Sequence, residues 1–329
     1  MSVYPWHQSL YAGLLSRIKA DRFHHALLVS GPEACGLREM VDAVATALLC
    51  ETLTDSGACG QCRSCQMRRA GTHPDCLIVE PEEVGKQIKI DQIRRLGEFV
   101  ARTASAGQRK VVILDPADAM NASSANSLLK SLEEPSAGTH LLLRTRSASR
   151  LLPTIRSRCE TVNAGVPDSA LVLPWLREQL GERADMLHAA ASGRPLLAVT
   201  MAQQDGLQQL ASVALSLEQA LARDAYIPLT AAALHSYELT ELTSAFVQVL
   251  IDFQRGLQSG READWRLAFN LEVYRRLAAR VSSQAVAMAG RQAQKTLRQA
   301  LSTANPNRIL LIESLLIDWR SFVTGKFAA

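Results

Sequence analysis

The stretch Gly31-Pro32-Glu33-Ala34-Cys35-Gly36-Leu37-Arg38 decides how this 329-residue chain is interpreted. Its two glycines have the spacing of a phosphate-binding loop, G-x-x-x-x-G-K-[ST], whose backbone N–H groups surround phosphates. The apolar run Ala26-Leu27-Leu28-Val29 predicts the buried strand before such a loop. However, Leu37 replaces the lysine, and Arg38 replaces the hydroxyl residue that holds Mg²⁺. Because a guanidinium has no lone pair for a metal, we expect no productive binding of ATP or Mg²⁺.

A second segment departs from the same pattern. Val111-Val112-Ile113-Leu114-Asp115 is an apolar strand that ends in an acid, as in a Walker B segment whose aspartate helps to hold Mg²⁺. An ATPase of the AAA+ kind carries a glutamate directly afterwards, whereas this chain has Pro116, Ala117 and Asp118. Either departure alone fits a degenerate match in an unrelated α/β protein. Together, in order and about 80 residues apart, they indicate a P-loop relative that does not hydrolyse nucleotide.

The composition sets broad limits on function. A net charge of +4 is too mild to demand nucleic-acid binding, and 47% hydrophobic with 21% charged residues is ordinary for a globular protein. No apolar run approaches the length that spans a bilayer, and residues 1–6 do not open a signal peptide. We therefore expect a cytoplasmic protein without membrane contact.

Four of the seven cysteines are clustered with the spacing C-x8-C-x2-C-x2-C, at Cys50, Cys59, Cys62 and Cys65. Each C-x2-C step directs two sulfurs at one ion, and four thiolates match tetrahedral Zn²⁺. Disulfides are disfavoured in a reducing compartment, and an iron–sulfur cluster is the alternative that also uses four cysteines. We expect a structural zinc at residues 50–65, although His73 is near enough in sequence to compete for the ion.

The order of elements predicts the fold class. Strand-like runs alternate with helical patterns in the first half, at Ala26–Val29, Cys76–Val79, Val111–Leu114 and Leu141–Leu143. The helical patterns begin at Leu37, at Asp91 as a helix cap, and at Asn121. This alternation predicts a parallel, doubly wound sheet that binds ligands at the carboxyl ends of its strands. The cysteine module is then an insertion between the first of these helices and the second strand.

Strand signals stop after about residue 166, and three domains follow from this. We expect an α/β domain at 1–165, a small helical unit at 166–206 and a larger helical domain at 207–329. The last contains long amphipathic segments at Leu207–Leu221, Leu239–Phe253 and Ile309–Trp319. Without a catalytic cluster, such a domain is typical of packing or assembly.

Two longer motifs carry a resemblance to a known family. They are Ala125-Asn126-Ser127-Leu128-Leu129-Lys130-Ser131-Leu132-Glu133-Glu134-Pro135 and Leu152-Pro153-Thr154-Ile155-Arg156-Ser157-Arg158-Cys159. With Ile90-Asp91-Gln92-Ile93-Arg94 and the four cysteines, the chain resembles the bacterial clamp-loader family of DNA polymerase III. The motifs cover residues 1–165, and the rest agrees only in helical character and length. Within the family, the γ/τ subunits keep the intact P-loop, and the δ subunit lacks the zinc knuckle.

The resemblance implies a RecA-like AAA+ domain with a zinc-knuckle insertion, a small helical lid and a C-terminal all-α collar. It implies a hetero-pentamer with γ/τ and δ subunits, within the polymerase holoenzyme and near the nucleoid, that uses ATP to place a sliding clamp on primed DNA. This chain would hydrolyse no ATP itself. Arg158 matches the family's Ser-Arg-Cys arginine finger, a planar cation beside the γ-phosphate of a neighbour's ATP. Arg194 lies where a lid can carry a second sensor arginine, whose role the sequence leaves open.

Two alternative functions stay open at this point. An active clamp-loader ATPase of the γ/τ kind needs the motif that is absent at Leu37 and Arg38. A zinc-knuckle nucleic-acid-binding protein on a degenerate P-loop fold needs a basic stripe or stacking aromatics near the cysteines. Arg63, Arg68 and Arg69 occur there without aromatic neighbours.

Overall fold

The computed structural model describes residues 3–83, 85–203, 206–267, 270–300 and 307–325. Contacts between residues divide the chain into two compact units. The first comprises Met1–Trp175 with Gly193–Leu196, and the second comprises Leu176–Ser192 with Leu197–Ala329.

The first unit is built on a five-stranded sheet in which every pairing is parallel. Its strands, in the order β2-β3-β4-β1-β5, are β1 Ala26–Ser30, β2 Cys76–Val79, β3 Lys110–Leu114, β4 Thr139–Thr145 and β5 Glu160–Asn163. The four strands expected from apolar runs are confirmed, and β5 is an additional edge strand. Because all strands run the same way, their carboxyl ends form one edge of the sheet and their amino ends form the other.

Helices cover both faces of this sheet, as a doubly wound fold requires. They are α1 Gln8–Lys19, α2 Leu37–Leu49, α3 Arg63–Arg69, α4 Ile90–Ala101, α5 Ala122–Glu133, α6 Pro153–Arg156 and α7 Ser169–Leu180, the last of which ends in the second unit. Alternate residues of β1 point to opposite faces: Leu27 and Val29 pack with α1 and α2, and Ala26 and Leu28 pack with α4 and α5. The expected doubly wound α/β class is therefore confirmed.

One expected helix start is wrong by two residues. Lys89, not Asp91, occupies the N-cap of α4, and Gln92 accepts a hydrogen bond from the Lys89 backbone. Asp91 instead lies in the first turn, where a negative charge complements the helix dipole. The N-cap of α5 is Asn121, as its sequence predicts, and its side chain accepts from Ser124 N at 2.8 Å.

Helices joined by turns make up the second unit, and no strand lies in its described residues. Its helices are α8 Ala184–Ala190, α9 Pro195–Gln203 (which begins in the first unit), α10 Gly206–Gln219, α11 Ile227–Ala232, α12 Leu239–Ser259, α13 Leu271–Ala278, α14 Ser283–Ala300 and α15 Arg308–Thr324. The three amphipathic segments expected from the sequence lie mainly in α10, α12 and α15. The helical C-terminal region is thus confirmed, while the boundaries at 166 and 206 stay predictions.

Aromatic side chains fill the centre of this helical unit. Trp319 is 1% exposed and donates its indole N–H to the Leu217 carbonyl at 2.8 Å. Trp265 stacks on Phe253 with 5.9 Å between ring centroids. Gly256 lies directly against the Trp265 indole, so that a β-carbon at this position would overlap the ring. Within the described residues, no helix is both long and apolar enough to span a bilayer.

Candidate functional site

The altered phosphate-binding loop connects β1 to α2 at the carboxyl edge of the sheet. Gly36 is the N-cap of α2 and has φ 81°, a left-handed conformation that glycine adopts without strain. Leu37 is 2% exposed, and its Cδ1 stands 2.7 Å from the point where Gly31 would carry a β-carbon. The side chain in the lysine position is therefore packed into the core and offers nothing to a phosphate.

Arg38 is paired with the acid of the second altered motif. Its guanidinium lies 3.0 Å from Asp115 Oδ2 and 3.3 Å from Glu80 Oε2. Asp115 is 3% exposed, and its other oxygen accepts a hydrogen bond from Arg144 Nε. In a working site the hydroxyl residue and this aspartate hold Mg²⁺ between them. Here a guanidinium from the hydroxyl position neutralises the aspartate directly.

Asp118 stands near the place of the missing catalytic glutamate but makes structural contacts. Its Oδ1 accepts from Thr145 Oγ1 at 2.9 Å and from the Arg146 backbone at 3.2 Å. Its Oδ2 lies 3.3 Å from Arg150 Nη1. These contacts tie the segment after β3 to the end of β4.

An aromatic segment at the start of the chain covers the loop. Trp6 and His7 each donate a ring N–H to the Cys35 carbonyl at 2.8 Å, and burial lowers the pKa of His7. Tyr4 stacks on Trp6 with 4.8 Å between centroids, and its ring would overlap any β-carbon at Gly36. The loop is thus held by side chains of its own chain. The positive charge of Arg194 is near enough to Cys35 to favour the thiolate form. Burial has the larger effect and raises the pKa of the Cys35 thiol to about 11.

The four expected metal ligands meet at one point. Their sulfur atoms all lie within 4.8 Å of one another, with 4.0 Å between Cys50 and Cys62 and 4.0 Å between Cys59 and Cys65. Four sulfurs at Zn–S distances of ~2.3 Å around a tetrahedral ion are separated by roughly 3.8 Å. The observed separations therefore fit a tetrahedral thiolate site after a contraction of roughly 0.2 Å for these two pairs and of at most about 1 Å for any pair.

Backbone N–H groups also point at these sulfurs. Cys59 N donates to Cys50 Sγ at 3.3 Å, Cys62 N to Cys59 Sγ at 3.3 Å and Cys65 N to Cys62 Sγ at 3.4 Å. Hydrogen bonds from Thr52 and the nearby backbone lower the pKa of Cys59 to about 6, whereas burial raises the pKa of Cys65. Donors aimed at sulfur favour the thiolate form that a metal requires.

Polar residues near the four cysteines form hydrogen bonds and ion pairs with other parts of the same domain. His73 is not part of the cluster, because its two ring nitrogens contact Ser64 Oγ at 2.6 Å and Asp75 N at 3.1 Å. Arg68 is paired with Asp42 and has a side chain only 9% exposed, and Arg69 donates to the Gly60 carbonyl at 3.0 Å. Arg68 and Arg69 therefore make contacts within the module, whereas Arg63 is exposed.

Arg158 lies at the opposite edge of the sheet from the loop. It sits in the turn between α6 and β5, just before the amino end of that strand. Its guanidinium lies 2.5 Å from Glu133 Oε1 and donates to the Thr154 carbonyl at 2.9 Å. A cavity of about 580 Å³ beside it is also lined by His24, His25, Leu132, Ser157, Cys159 and Glu160.

Comparison with known proteins identifies the family. A family model described as "DNA polymerase III, delta subunit" matches residues 6–166. DNA polymerase III subunit delta' of Pseudomonas aeruginosa is 40% identical over 324 residues, which cover 97% of this chain and 98% of that protein. This chain belongs to the DNA polymerase III subunit delta' family. The family expected from the sequence motifs is therefore confirmed.

Two further similarities are one more delta' protein and one solved structure. The subunit delta' protein of Escherichia coli K12 is 36% identical over 211 residues, which cover 63% of this chain and 63% of that protein. Among solved structures, a DNA polymerase III gamma subunit-related protein of Thermotoga maritima is 21% identical, with a TM-score of 0.47 over 94% of this chain and 99% of that chain.

The sequence did not predict three features, two at the altered loop and one at Arg158. The aromatic cover at Tyr4 and Trp6 is one, and Arg144 on Asp115 and Glu133 on Arg158 are the others. The close spacing of two large aromatic residues, in a chain with only 5% aromatic residues, was the available signal for the first. The other two depend on pairings between distant segments.

Proposed function

We propose that this chain acts in a clamp loader as a subunit that hydrolyses no nucleotide itself. It supplies Arg158 to ATP bound by a neighbouring γ/τ subunit, in a hetero-pentamer that also contains a δ subunit. The complex loads the sliding clamp onto primed DNA in the cytoplasm, associated with the nucleoid through the replisome. The observation that carries this proposal is the pairing of Arg38 with Asp115 at the carboxyl edge of the sheet, while Arg158, which matches the family's arginine finger, lies at the amino edge.

The absence of hydrolysis follows from charge and shape. Leu37 brings no cation to a phosphate, and Arg38 neutralises the acid that would hold Mg²⁺. The segment that carries Tyr4 and Trp6 already lies against the loop. Pro116 occupies the position of the catalytic glutamate. Each of these features alone weakens an ATP site, and together they leave neither a bound metal nor an activated water.

The action of Arg158 on another subunit follows from its position. Residues at the amino edge of a parallel sheet lie a strand length away from a loop at the carboxyl edge. Arg158 therefore lies far from the nucleotide position of its own domain and beside a cavity of about 580 Å³. A planar guanidinium there stabilises charge on the equatorial oxygens of a transferring phosphoryl group.

Zinc at Cys50, Cys59, Cys62 and Cys65 is proposed to be structural. Four protein sulfurs complete a tetrahedral shell, so that no position remains for water or substrate. The ion would hold the module between α2 and β2. The alternative of a nucleic-acid-binding knuckle is disfavoured because Arg68 and Arg69 are engaged within the module.

Reconstitution with the partner subunits tests the role of Arg158. Arg158→Ala is expected to leave assembly and zinc content intact and to reduce DNA-stimulated ATPase and clamp-loading rates. An arginine finger is worth roughly 10³–10⁵ in rate at its own site, and a loader with several sites loses less in total. Arg158→Lys should not restore the full rate, because an ammonium lacks the planar fork.

Arg156→Ala is the matched control, since this exposed arginine lies two residues earlier in the same segment. It should retain the unmodified rates. Unmodified clamp-loading and ATPase rates in the Arg158→Ala complex would show that the assignment of the arginine finger is wrong.

A further inference from the structure

The Arg158 guanidinium is engaged on both sides by groups of its own chain. One terminal nitrogen lies 2.5 Å from Glu133 Oε1, and the other donates to the Thr154 carbonyl at 2.9 Å. A phosphate binds arginine through this same planar fork of N–H donors. Glu133 and an incoming phosphate therefore compete for one set of donors.

The position of Glu133 is fixed by the helix that ends there. It is the last residue of α5, and Pro135 prevents the helix from continuing. Its side chain remains 48% exposed, and that of Arg158 is 35% exposed. An ion pair of this exposure shifts a local equilibrium by no more than about fivefold. The contact is strong enough to bias the arginine and weak enough for a phosphate to replace it.

The acidic residues near Arg158 show which carboxylate holds it and which one can serve as a control. Glu160, which lines the same cavity, is already paired with Arg17. Among the described ion pairs, Glu133 is thus the acid that holds Arg158. Glu134 is the next residue, is exposed, and has no ion pair within the described part of the chain.

We propose that Glu133 is a positioning residue that retracts Arg158 until a neighbour's nucleotide arrives. This inference rests on the proposed action of Arg158 on a neighbouring subunit. The γ-phosphate replaces the carboxylate, and the guanidinium turns from Glu133 to the phosphate oxygens. Glu133 thereby raises the ATP concentration at which the neighbouring site becomes active. Once the phosphate has replaced it, it no longer affects the rate.

Steady-state kinetics of the reconstituted loader test this proposal. Glu133→Gln keeps the shape of the side chain and removes its charge, so the KM for ATP at the neighbouring site should fall by up to about fivefold, and the KM of the whole loader by less, with kcat unchanged. Glu134→Gln should change neither constant. Glu133→Gln combined with Arg158→Ala should behave as Arg158→Ala alone, because the carboxylate acts only through the arginine.

A second measurement needs no partner. In the isolated full-length chain, rotation of the Arg158 guanidinium about its Nε–Cζ bond, followed by NMR, should be faster in Glu133→Gln and unchanged in Glu134→Gln. An unchanged or higher KM in Glu133→Gln, an effect that persists without Arg158, or unchanged rotation would each overturn the proposal. If Arg158→Ala itself has no effect on the loader, the proposed function fails and this inference fails with it. A failure confined to the Glu133 variants leaves the proposed function intact.

Discussion

Replacing Cys62 by serine is expected to remove zinc from the cysteine module and to open residues 50–73 while the sheet stays folded. Cys62 has two roles, because it is a proposed zinc ligand in the cluster and also the N-cap of α3, where its sulfur accepts from Cys65 N. Serine is among the preferred N-cap residues. The substitution therefore preserves the cap and removes the thiolate, which isolates the contribution of the metal.

The magnitude follows from what else holds the module. Ser64 Oγ donates to the Leu49 carbonyl at 2.6 Å and contacts His73 at 2.6 Å, and Ser64 N donates to Glu51 at 3.0 Å. Hydrogen bonds of this kind contribute about 1 kcal/mol each. A structural zinc in small finger peptides contributes about 10–16 kcal/mol at neutral pH. These hydrogen bonds are too weak to replace the ion, so the module should open without zinc. The two apolar clusters on either side of the sheet do not depend on the ion and should stay packed.

Elemental analysis and hydrogen exchange provide the measurements. The unmodified protein should hold one zinc per chain, and so should Cys76→Ala, which removes a cysteine outside the cluster. In Cys62→Ser the zinc should be lost, and amides of residues 50–73 should exchange much faster while those of β1 and β3 keep their protection. Unmodified protein without zinc, or Cys62→Ser with full zinc and unchanged exchange, would refute the reasoning.

Three further predictions concern stability and the altered loop. In denaturant unfolding, Gly256→Ala should cost about 1–3 kcal/mol by driving a methyl group into the adjacent indole, whereas Gly290→Ala, in open space, should gain roughly 0.5–1 kcal/mol. Burial lowers the pKa of His140 from 6.5 to about 4, so the unfolded chain binds more protons between these values. The contribution of neutral His140 to the free energy of unfolding is fully present above pH 6.5. It should fall by up to about 3 kcal/mol as the pH is lowered towards 4, and the loss should be smaller in His140→Gln. The double variant Leu37→Lys, Arg38→Thr should still show no Mg·ATP binding by calorimetry, because the aromatic segment covers the loop; tight binding would contradict that role.

The sequence predicted the elements whose signal is local. The strands β1 to β4 contain continuous apolar runs, and Asn121 begins α5 because its side chain bonds to the chain three residues later. The edge strand β5, Glu160–Asn163, gave no such signal, because three of its four residues are polar and its residues are not fully buried. Residue type favours Asp91 as the cap, whereas the chain uses Lys89 and Gln92.

The same distinction between local signals and contacts of distant segments applies to the candidate site. The cysteine cluster was predictable because three of its four ligands lie within seven residues, so the local turn brings the sulfurs together. Trp6 is 29 residues from Cys35, and Glu133 is 25 residues from Arg158. These contacts exist only after the sheet has formed. No residue pattern within either segment encodes them.

The pairing at the carboxyl edge also explains why the two altered motifs occur together. A buried carboxylate without a cation is costly, and Mg²⁺ is the cation in a working P-loop site. Without a lysine at position 37 to help hold the nucleotide, Asp115 would stay buried and uncompensated. Arg38 and Arg144 provide that charge from within the chain. Position 38 therefore carries a guanidinium in place of a ligand for Mg²⁺, and this guanidinium supplies the positive charge that the metal would supply. The loop is thereby a stable structural part of the domain. In the proposed function, the arginine that acts on a neighbour's phosphate is Arg158, at the other edge of the sheet.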